Sequence, residues 1–192
     1  MKKSNLLLLV SVLLFASINS YGQDDDKNKG VRAGWQSSNF YVDGEGADPL
    51  SSFYVGFTGE KSIIPLLKFG SGLEYFQNGT QTTIANETFQ YKAHVISIPL
   101  YLKLKLGPVF ALGGAAANFN IAHNYKVGDN SSDVPDDLKV NTFDVPVFAG
   151  LGVKILMFSI EARYHWGMLD TSKSDATDSK VQYFQIGAGI SF

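Results

Sequence analysis

The stretch ISIPLYLKLK, residues 96–105, alternates apolar and polar side chains without interruption. In an extended chain, successive side chains point to opposite faces, so five aliphatic residues share one face while Ser97, Tyr101 and Lys103 lie on the other. The apolar face is about as long as the ~9–11 residues with which a tilted strand crosses a bilayer. The stretch therefore predicts a β-strand with one face in lipid.

Seven further segments show the same period of two, which is typical of half-apolar strands. They occupy residues 31–35, 53–57, 67–75, 109–121, 143–155, 158–168 and 183–192. The segment 109–121 is rich in Gly and Ala, and its sequence leaves open which face is apolar. The chain length fits one domain.

The connections between these segments are alternately short and long. The short ones lie near 61–65, 107–108 and 156, and the long polar ones at 41–50, 78–87, 126–139 and 170–180. With both termini in the periplasm, every long loop falls outside the cell, as in outer-membrane barrels. Because lipid offers no partner to backbone N–H and C=O groups, the strands must close into a ring. We predict an all-β, eight-stranded antiparallel up-and-down transmembrane β-barrel.

A soluble lipocalin-like barrel or a β-sandwich would also alternate in sequence. In those folds the apolar face points into the core and the solvent face is charged and varied. Here the second face holds mostly glycine, serine, glutamine and a few charges of both signs, and only 18% of the chain is charged, against roughly 25% in ordinary soluble domains. The membrane barrel is therefore favoured.

The amino terminus has the pattern of a secretory signal peptide: Lys2 and Lys3, an apolar run over 6–15, and small residues before Gly22. The run is shorter than the ~20 residues of a membrane-spanning helix. We predict a signal peptide at 1–22, a flexible acidic lead at 23–29 and the outer-membrane barrel domain at 30–192. The chain has no cysteine and a net charge of −2, which argues against disulfides, thiolate metal sites and nucleic-acid partners.

Charged residues fall on the inward face of several predicted strands. Unpaired ions in a narrow interior are costly, and an eight-stranded barrel is just wide enough for side chains to fill. A polar network that fills the lumen predicts a structural or interaction role through extracellular loops or a partner complex; the alternative is a narrow, porin-like solute channel. The predicted network comprises Arg32, Lys68, Glu74, Lys103, Asp144, Glu161, Arg163 and His165.

Catalytic and metal-binding patterns are weak in this sequence. No His-x-Ser motif accompanies His94, His123 or His165, and these histidines lack the spacing of a metal site. The aspartates of 129–137 do not follow a calcium-loop spacing. The sequence therefore predicts no enzyme, no cofactor and no metal. An outer-leaflet lipid-modifying enzyme, the second alternative, would require a convergent triad.

Three motifs resemble the small outer-membrane β-barrel domain of PorT-type proteins, within the porin family of Gram-negative barrels. GVRAGWQSSNF (30–40) is similar to the family's first strand, SIPLYLKLKLG (97–107) to its fourth, and IEARYHWG (160–167) to its seventh. This chain departs from the family at Ser97, where a glutamate is common. The resemblance implies an integral outer-membrane protein; some members are tied to secretion, and most have no established activity.

The resemblance also gives a meaning to the carboxyl terminus, YFQIGAGISF. Outer-membrane barrels commonly end on an aromatic residue preceded by apolar residues at alternate positions, a signal read by the barrel-assembly machinery during insertion. The predicted partners are this machinery, outer-membrane lipid and lipopolysaccharide; the barrel is predicted to be monomeric, and no protein partner is identified. The predicted assembly signal comprises Phe184, Ile186, Ile190 and Phe192.

Overall fold

The computed structural model describes residues 27–42, 45–46, 48–84, 87–127, 130–132, 142–169 and 179–192. The predicted signal peptide, 1–22, and residues 23–26 of the predicted lead lie outside the described residues. All described strands belong to one sheet. None of the described residues belongs to a helix that is long and apolar enough to cross a membrane.

Eight long strands follow one another around the sheet, each antiparallel to the next. The last strand also pairs with the first, from Gly30 opposite Ser191 to Val42 opposite Ser179, which closes the ring. The predicted eight-stranded antiparallel barrel is therefore confirmed. The strands are β1 Lys27–Val42, β2 Asp48–Ile64, β3 Leu67–Ile84, β4 Glu87–Leu106, β5 Val109–Val127, β6 Val147–Ile155, β7 Phe158–Trp166 and β8 Ser179–Ser191.

Three short pieces add to this ring. Glu45–Gly46 pairs with the end of β1, and Asn130–Ser132 and Phe143–Asp144 pair with β5. Phe143–Asp144 thus continues the line of β6 beyond Pro146.

Two connections that the sequence predicts as long loops are largely strand. β3 and β4 run for 18 and 20 residues and pair up to Ile84 opposite Glu87, inside the predicted loop 78–87. β1 and β2 likewise reach into the predicted loop 41–50. The polar composition of 78–87 is misleading because its threonines favour extended backbone. Since only ~9–11 residues cross the bilayer, these strands continue beyond it as hairpins.

β1 begins earlier than the predicted barrel domain. Lys27 pairs with Lys61 of β2, and the backbone N–H of Lys29 donates to the Phe192 carbonyl at 3.1 Å. Residues 27–29, predicted to be flexible, are therefore held in the sheet by the ends of two neighbouring strands.

The outer surface carries the apolar faces. Ile98, Leu100, Leu102 and Leu104 of the stretch 96–105 are 41–51% exposed, all on the outside of β4. Aromatic side chains form outward-facing contacts nearer the long connections, such as the Trp35 and Phe184 rings, whose centroids are 6.3 Å apart. Such a band suits the hydrocarbon of a bilayer, with aromatic residues toward its interface.

The sequence left open which face of β5 points outward, and the burial of its side chains answers this. Phe110, Leu112 and Asn118 are buried inside the barrel, and Val109 and Phe119 are exposed outside. Because apolar residues occupy both faces of the first half of this strand, its sequence does not alternate in polarity.

Candidate functional site

The candidate site is the interior of the barrel, where two arginines and two glutamates meet. Arg32 comes from β1, Glu74 from β3, and Glu161 and Arg163 from β7. All four belong to the inward alternation of their strands and are at most 6% exposed. We call this set the Arg–Glu quartet.

Each glutamate of the quartet contacts both arginines. Arg163 makes a bidentate contact with Glu74, with Nη1–Oε1 and Nη2–Oε2 distances of 3.0 and 3.4 Å. Its Nε atom lies 3.2 Å from Oε1 of Glu161. Arg32 donates from Nη1 to Oε1 of Glu161 at 3.0 Å and also pairs with Glu74 through Nη2. Two positive and two negative charges thus balance within one buried cluster, which offsets part of the cost of removing them from water.

Glycines on the intervening strands leave room for the quartet. Gly56 of β2 lies between Arg32 and Glu74 in register, and a Cβ built there would sit 2.6 Å from Cγ of Glu74. On β8, Gly187 lies opposite Glu161, so no side chain separates β7 from β1 at that level. The glycines on the inward face are therefore what allow long charged side chains from non-adjacent strands to meet.

Aromatic rings surround the two guanidinium groups. The Arg163 Cζ atom lies 5.4 Å from the ring centroid of Tyr54 and 5.9 Å from that of Phe148, and the Arg32 Cζ atom lies 5.8 Å from that of Tyr101. These distances are within the range of cation–π attraction. The rings also occupy the space that a water channel would need.

On the loop side of the quartet, amide groups span the lumen. Gln185 donates from Nε2 to Oε1 of Gln36, and Gln36 donates from Nε2 to Oδ1 of Asn78, both at 2.7 Å. Beside this chain lies a buried apolar cluster that includes Phe76 and Tyr183. Side chains therefore fill the lumen on the loop side of the quartet as well.

On the turn side, Glu60 of β2 is the central acceptor. It pairs with Nζ of Lys103 and accepts a hydrogen bond from the Tyr101 hydroxyl at 3.1 Å. The Lys103 ammonium also lies 4.4 Å from the ring centroid of Phe110. Glu60 was not among the predicted network residues, although extending the inward alternation of β2 from Tyr54 and Thr58 by one more step reaches it.

The structure brings together only part of the predicted network. Arg32, Glu74, Glu161 and Arg163 form the quartet, and Lys68 and Lys103 are neighbours nearer the short turns. Asp144 is buried away from them, opposite Asn118 of β5 in register. Within the described residues it makes no ion pair, because its strand position lies at the loop end of the barrel.

His165 occupies a different environment from the one predicted. Its ring is stacked between Tyr183 and Phe148, with centroid distances of 4.1 and 4.7 Å. Neither ring nitrogen has a hydrogen-bond partner among the described residues. It contributes to the lumen by aromatic packing, a contact that its polarity in the sequence conceals.

The predicted assembly-signal residues face outward on β8. Ile186, Ile190 and Phe192 are 43%, 47% and 74% exposed, and Phe184 is partly exposed. Phe192 lies at the end of the β1–β8 pairing that closes the ring, and its N–H donates to the Lys29 carbonyl at 2.8 Å.

The sequence contains two other histidines that were considered as catalytic or metal-binding residues. His94 lies outside the lumen and contacts the Tyr75 hydroxyl at 2.6 Å, while the side chain of His123 lies outside the described residues. No group of side chains in the described ranges is arranged to hold a metal ion.

Residues 21–173 match the family model described as the outer membrane protein beta-barrel domain. The chain belongs to this outer membrane protein β-barrel family. Its closed ring, its apolar exterior and its polar interior are those of an outer-membrane protein. No curated protein matches the sequence.

Solved structures share the architecture of this β-barrel family member. Ail, the attachment invasion locus protein of Yersinia pestis, in complex with the heparin analogue sucrose octasulfate, is 17% identical with a TM-score of 0.52, covering 87% of this chain and 99% of Ail. Neisserial surface protein A is 15% identical with a TM-score of 0.60, covering 85% of this chain and 97% of that protein. At such identities the similarity shows the fold alone.

Proposed function

We propose that the protein is an outer-membrane barrel with a closed lumen, which serves a structural or interaction role through its extracellular loops or a partner complex. The Arg–Glu quartet is the observation that carries this proposal. Its charges are balanced, its members are buried, and rings and amides fill the space on either side. A water-filled channel generally requires more than eight strands.

Planar-bilayer recording tests this proposal. The purified full-length protein should show no steady conductance because the quartet and its aromatic neighbours block the lumen. The double variant Arg32→Ala/Glu161→Ala removes one charge of each sign, and openings should become more frequent in it, provided that its unboiled gel mobility shows a folded barrel. A stable, ion-selective conductance of the unmodified protein would overturn the proposal and favour the narrow channel.

The same interior supports a non-catalytic role. A triad for lipid modification would need a histidine hydrogen-bonded to a nucleophile and to an acid, whereas His165 is stacked between rings and makes no hydrogen bond to any described residue. Mass spectrometry of outer-leaflet lipid in a deletion strain should therefore show no change. A lipid species that disappears in that strain would favour the enzymatic alternative.

The proposed topology places both termini and the short turns in the periplasm. It is supported by the contrast between two-residue turns such as Gly107–Pro108 and the longer connection between β5 and β6. Because the chain has no cysteine, Asn130→Cys and Met157→Cys give single labelling sites at opposite ends. In intact cells, a membrane-impermeant maleimide should label Asn130→Cys alone, and labelling of Met157→Cys alone would invert the topology.

The finer assignments rest on sequence motifs. The motifs GVRAGWQSSNF and SIPLYLKLKLG support placing the chain among PorT-type barrels of the porin family. The amino-terminal pattern of residues 1–22 supports a cleaved signal peptide. The exposed terminal face of β8 supports recognition by the barrel-assembly machinery, and the apolar exterior supports contact with outer-membrane lipid and lipopolysaccharide. Because β8 pairs with β1 of the same chain, no long strand edge needs a second copy, which supports a monomer. Mass spectrometry of material co-purified from detergent-solubilised membrane would identify any protein partner.

A further inference from the structure

The three short turns of the barrel are built from apolar residues and glycine alone. Turns in water are usually made of Gly, Asn, Asp, Ser and Pro, whose polar side chains bond to the nearby backbone. Here the four residues centred on each turn include no polar side chain, and large ones such as Leu66 and Leu106 are more than half exposed. We call these three segments the apolar rim: residues 64–67, 106–109 and 155–158.

Leu156 is the most unusual residue of the apolar rim. Its φ of 56° lies in the left-handed region, where the Cβ atom of a leucine causes strain, and its side chain is 87% exposed. The turn at 107–108 follows the ordinary rule, because its residue of positive φ is Gly107. In water, a strained and exposed leucine would gain nothing over glycine or asparagine. In lipid, the transfer of its side chain out of water would offset the strain.

The depth of the apolar rim follows from the aromatic residues at the other end of the barrel. Leu156 lies ten residues from Trp166, Leu66 lies nine from Tyr75, and Leu106 lies ten from Ile96, which is beside Tyr75 in register. At ~3.3 Å per residue and a tilt of ~40°, ten residues rise about 25 Å, the height of the apolar band of a membrane barrel. Among the described residues, the outward tyrosines and tryptophans all lie toward the long connections: Trp35, Tyr75, Tyr164 and Trp166.

We propose that the apolar rim is immersed in the acyl chains of the adjacent leaflet, so that the turns contact lipid rather than water. The rim continues the lipid-facing stripes without a polar break, from Leu104 to Leu106 on β4 and from Ile160 to Phe158 on β7. A protein-binding surface would instead have a polar margin between it and the lipid-facing band. Lipid is therefore the occupant that the surface fits.

Charged residues near the apolar rim are compatible with this depth. Lys29 and Lys61 face outward on β1 and β2, and the long stem of a lysine lets its ammonium group reach the headgroups from a deeper backbone position. Lys105 and Lys154 belong to the inward faces of their strands and are only partly exposed. That the leaflet is the periplasmic one rests on the proposed topology, whereas the immersion does not.

Spin labelling of the protein in phosphatidylcholine vesicles tests the immersion directly, since the chain has no cysteine. A nitroxide on Leu156→Cys should collide several-fold more often with oxygen, which dissolves in hydrocarbon, than with a water-soluble nickel chelate. Ile160→Cys, on the outward face of β7, is the hydrocarbon control, and Asn130→Cys is the aqueous control. A label at 156 that behaves like the label on Asn130→Cys would overturn the proposal. Exposure in vesicles with protection in native membrane fragments would also overturn it and assign the rim to a protein partner.

A second variant gives opposite results for the two surroundings. Leu156→Asn should relieve the backbone strain, because asparagine tolerates the left-handed region, but it places an amide where the leucine side chain was. In vesicles, an immersed tip predicts a lower urea midpoint of unfolding, and a midpoint that is unchanged or higher would contradict the proposal. Leu156→Met keeps the side chain apolar and similar in volume, so it is the control and should stay close to the unmodified protein. Neither measurement involves the lumen, so the conductance result tests the closed barrel separately.

Discussion

Glu74 is the residue on which the interior depends most. It is 2% exposed and accepts from two arginines that come from two different strands, Arg32 from β1 and Arg163 from β7. The inward alternation of β1, β3 and β7 predicted that Arg32, Glu74, Glu161 and Arg163 face the lumen, but it could not predict which of them meet. Partner choice depends on the glycines of intervening strands and on the register around the ring, neither of which a single strand encodes.

Replacing Glu74 with alanine should destabilise the barrel by about 3–5 kcal/mol, because both arginines would lose a buried partner. The additional change Arg163→Met should recover part of this loss, since it removes one of the orphaned charges. Urea unfolding in detergent micelles measures both effects. Lys61→Ala, on the exposed outer face, is the control and should change the free energy of unfolding by less than about 0.5 kcal/mol. A Glu74→Ala variant as stable as this control would show that water screens the quartet.

Two glycines on β2 allow a matched test of lumen packing. A Cβ at Gly56 would lie 2.6 Å from Cγ of Glu74, whereas a Cβ at Gly59 would meet nothing within 4 Å. Gly56→Ala should therefore cost about 1–3 kcal/mol by displacing the quartet, and Gly59→Ala should be neutral or slightly stabilising. Thermal unfolding of the two variants measures the difference, and equal melting temperatures would count against a tightly packed interior.

For individual strands, the sequence predicted that a strand is present and which of its faces is apolar better than it predicted where the strand ends. The apolar stripes of β4, β6, β7 and β8 have clear phases because their inward faces carry mostly small or polar residues. The parts of β3 and β4 within residues 78–87 were predicted to be a loop, because the portion of a strand that lies outside the bilayer does not need an apolar face. β5 hid its phase for a related reason: Phe110 and Leu112 pack inside the lumen, so both faces are apolar.

The last strand should be sensitive to substitution on one face only. Phe192→Lys places a charge on the exposed outer face, at the residue proposed to be read during insertion, and should sharply reduce the amount of assembled protein. Ser191→Lys, on the inward face, should have a smaller effect. The heat-modifiable fraction on gels measures assembly in both variants. Similar losses from the two changes would indicate that the terminal face is not the signal.

For the whole molecule, ring closure sets the behaviour in detergent. Every long strand has two paired neighbours, so the barrel should resist detergent until heated and migrate differently on gels when unboiled.

Edman sequencing of the mature protein should begin at Gln23, and fractionation should recover it with the outer membrane. Recovery as a soluble periplasmic protein would contradict the membrane assignment. Closure was predictable because lipid permits no open sheet, whereas the balance of charge at each level of the lumen needed the complete register.

The seam between β1 and β8 has a consequence for the order of folding. Gly30 meets Ser191 there, and the contacts that fill the lumen join residues as far apart as Gln36 and Gln185, separated by 149 positions. The contacts across this seam impose a high contact order, and they cannot form before the carboxyl-terminal strand arrives. Until then the chain has unpaired edges and exposed apolar stripes, which favour aggregation. We therefore expect transit across the periplasm to depend on a holding chaperone, and depletion of that chaperone should lead to degradation of this protein before any defect in the finished barrel is seen.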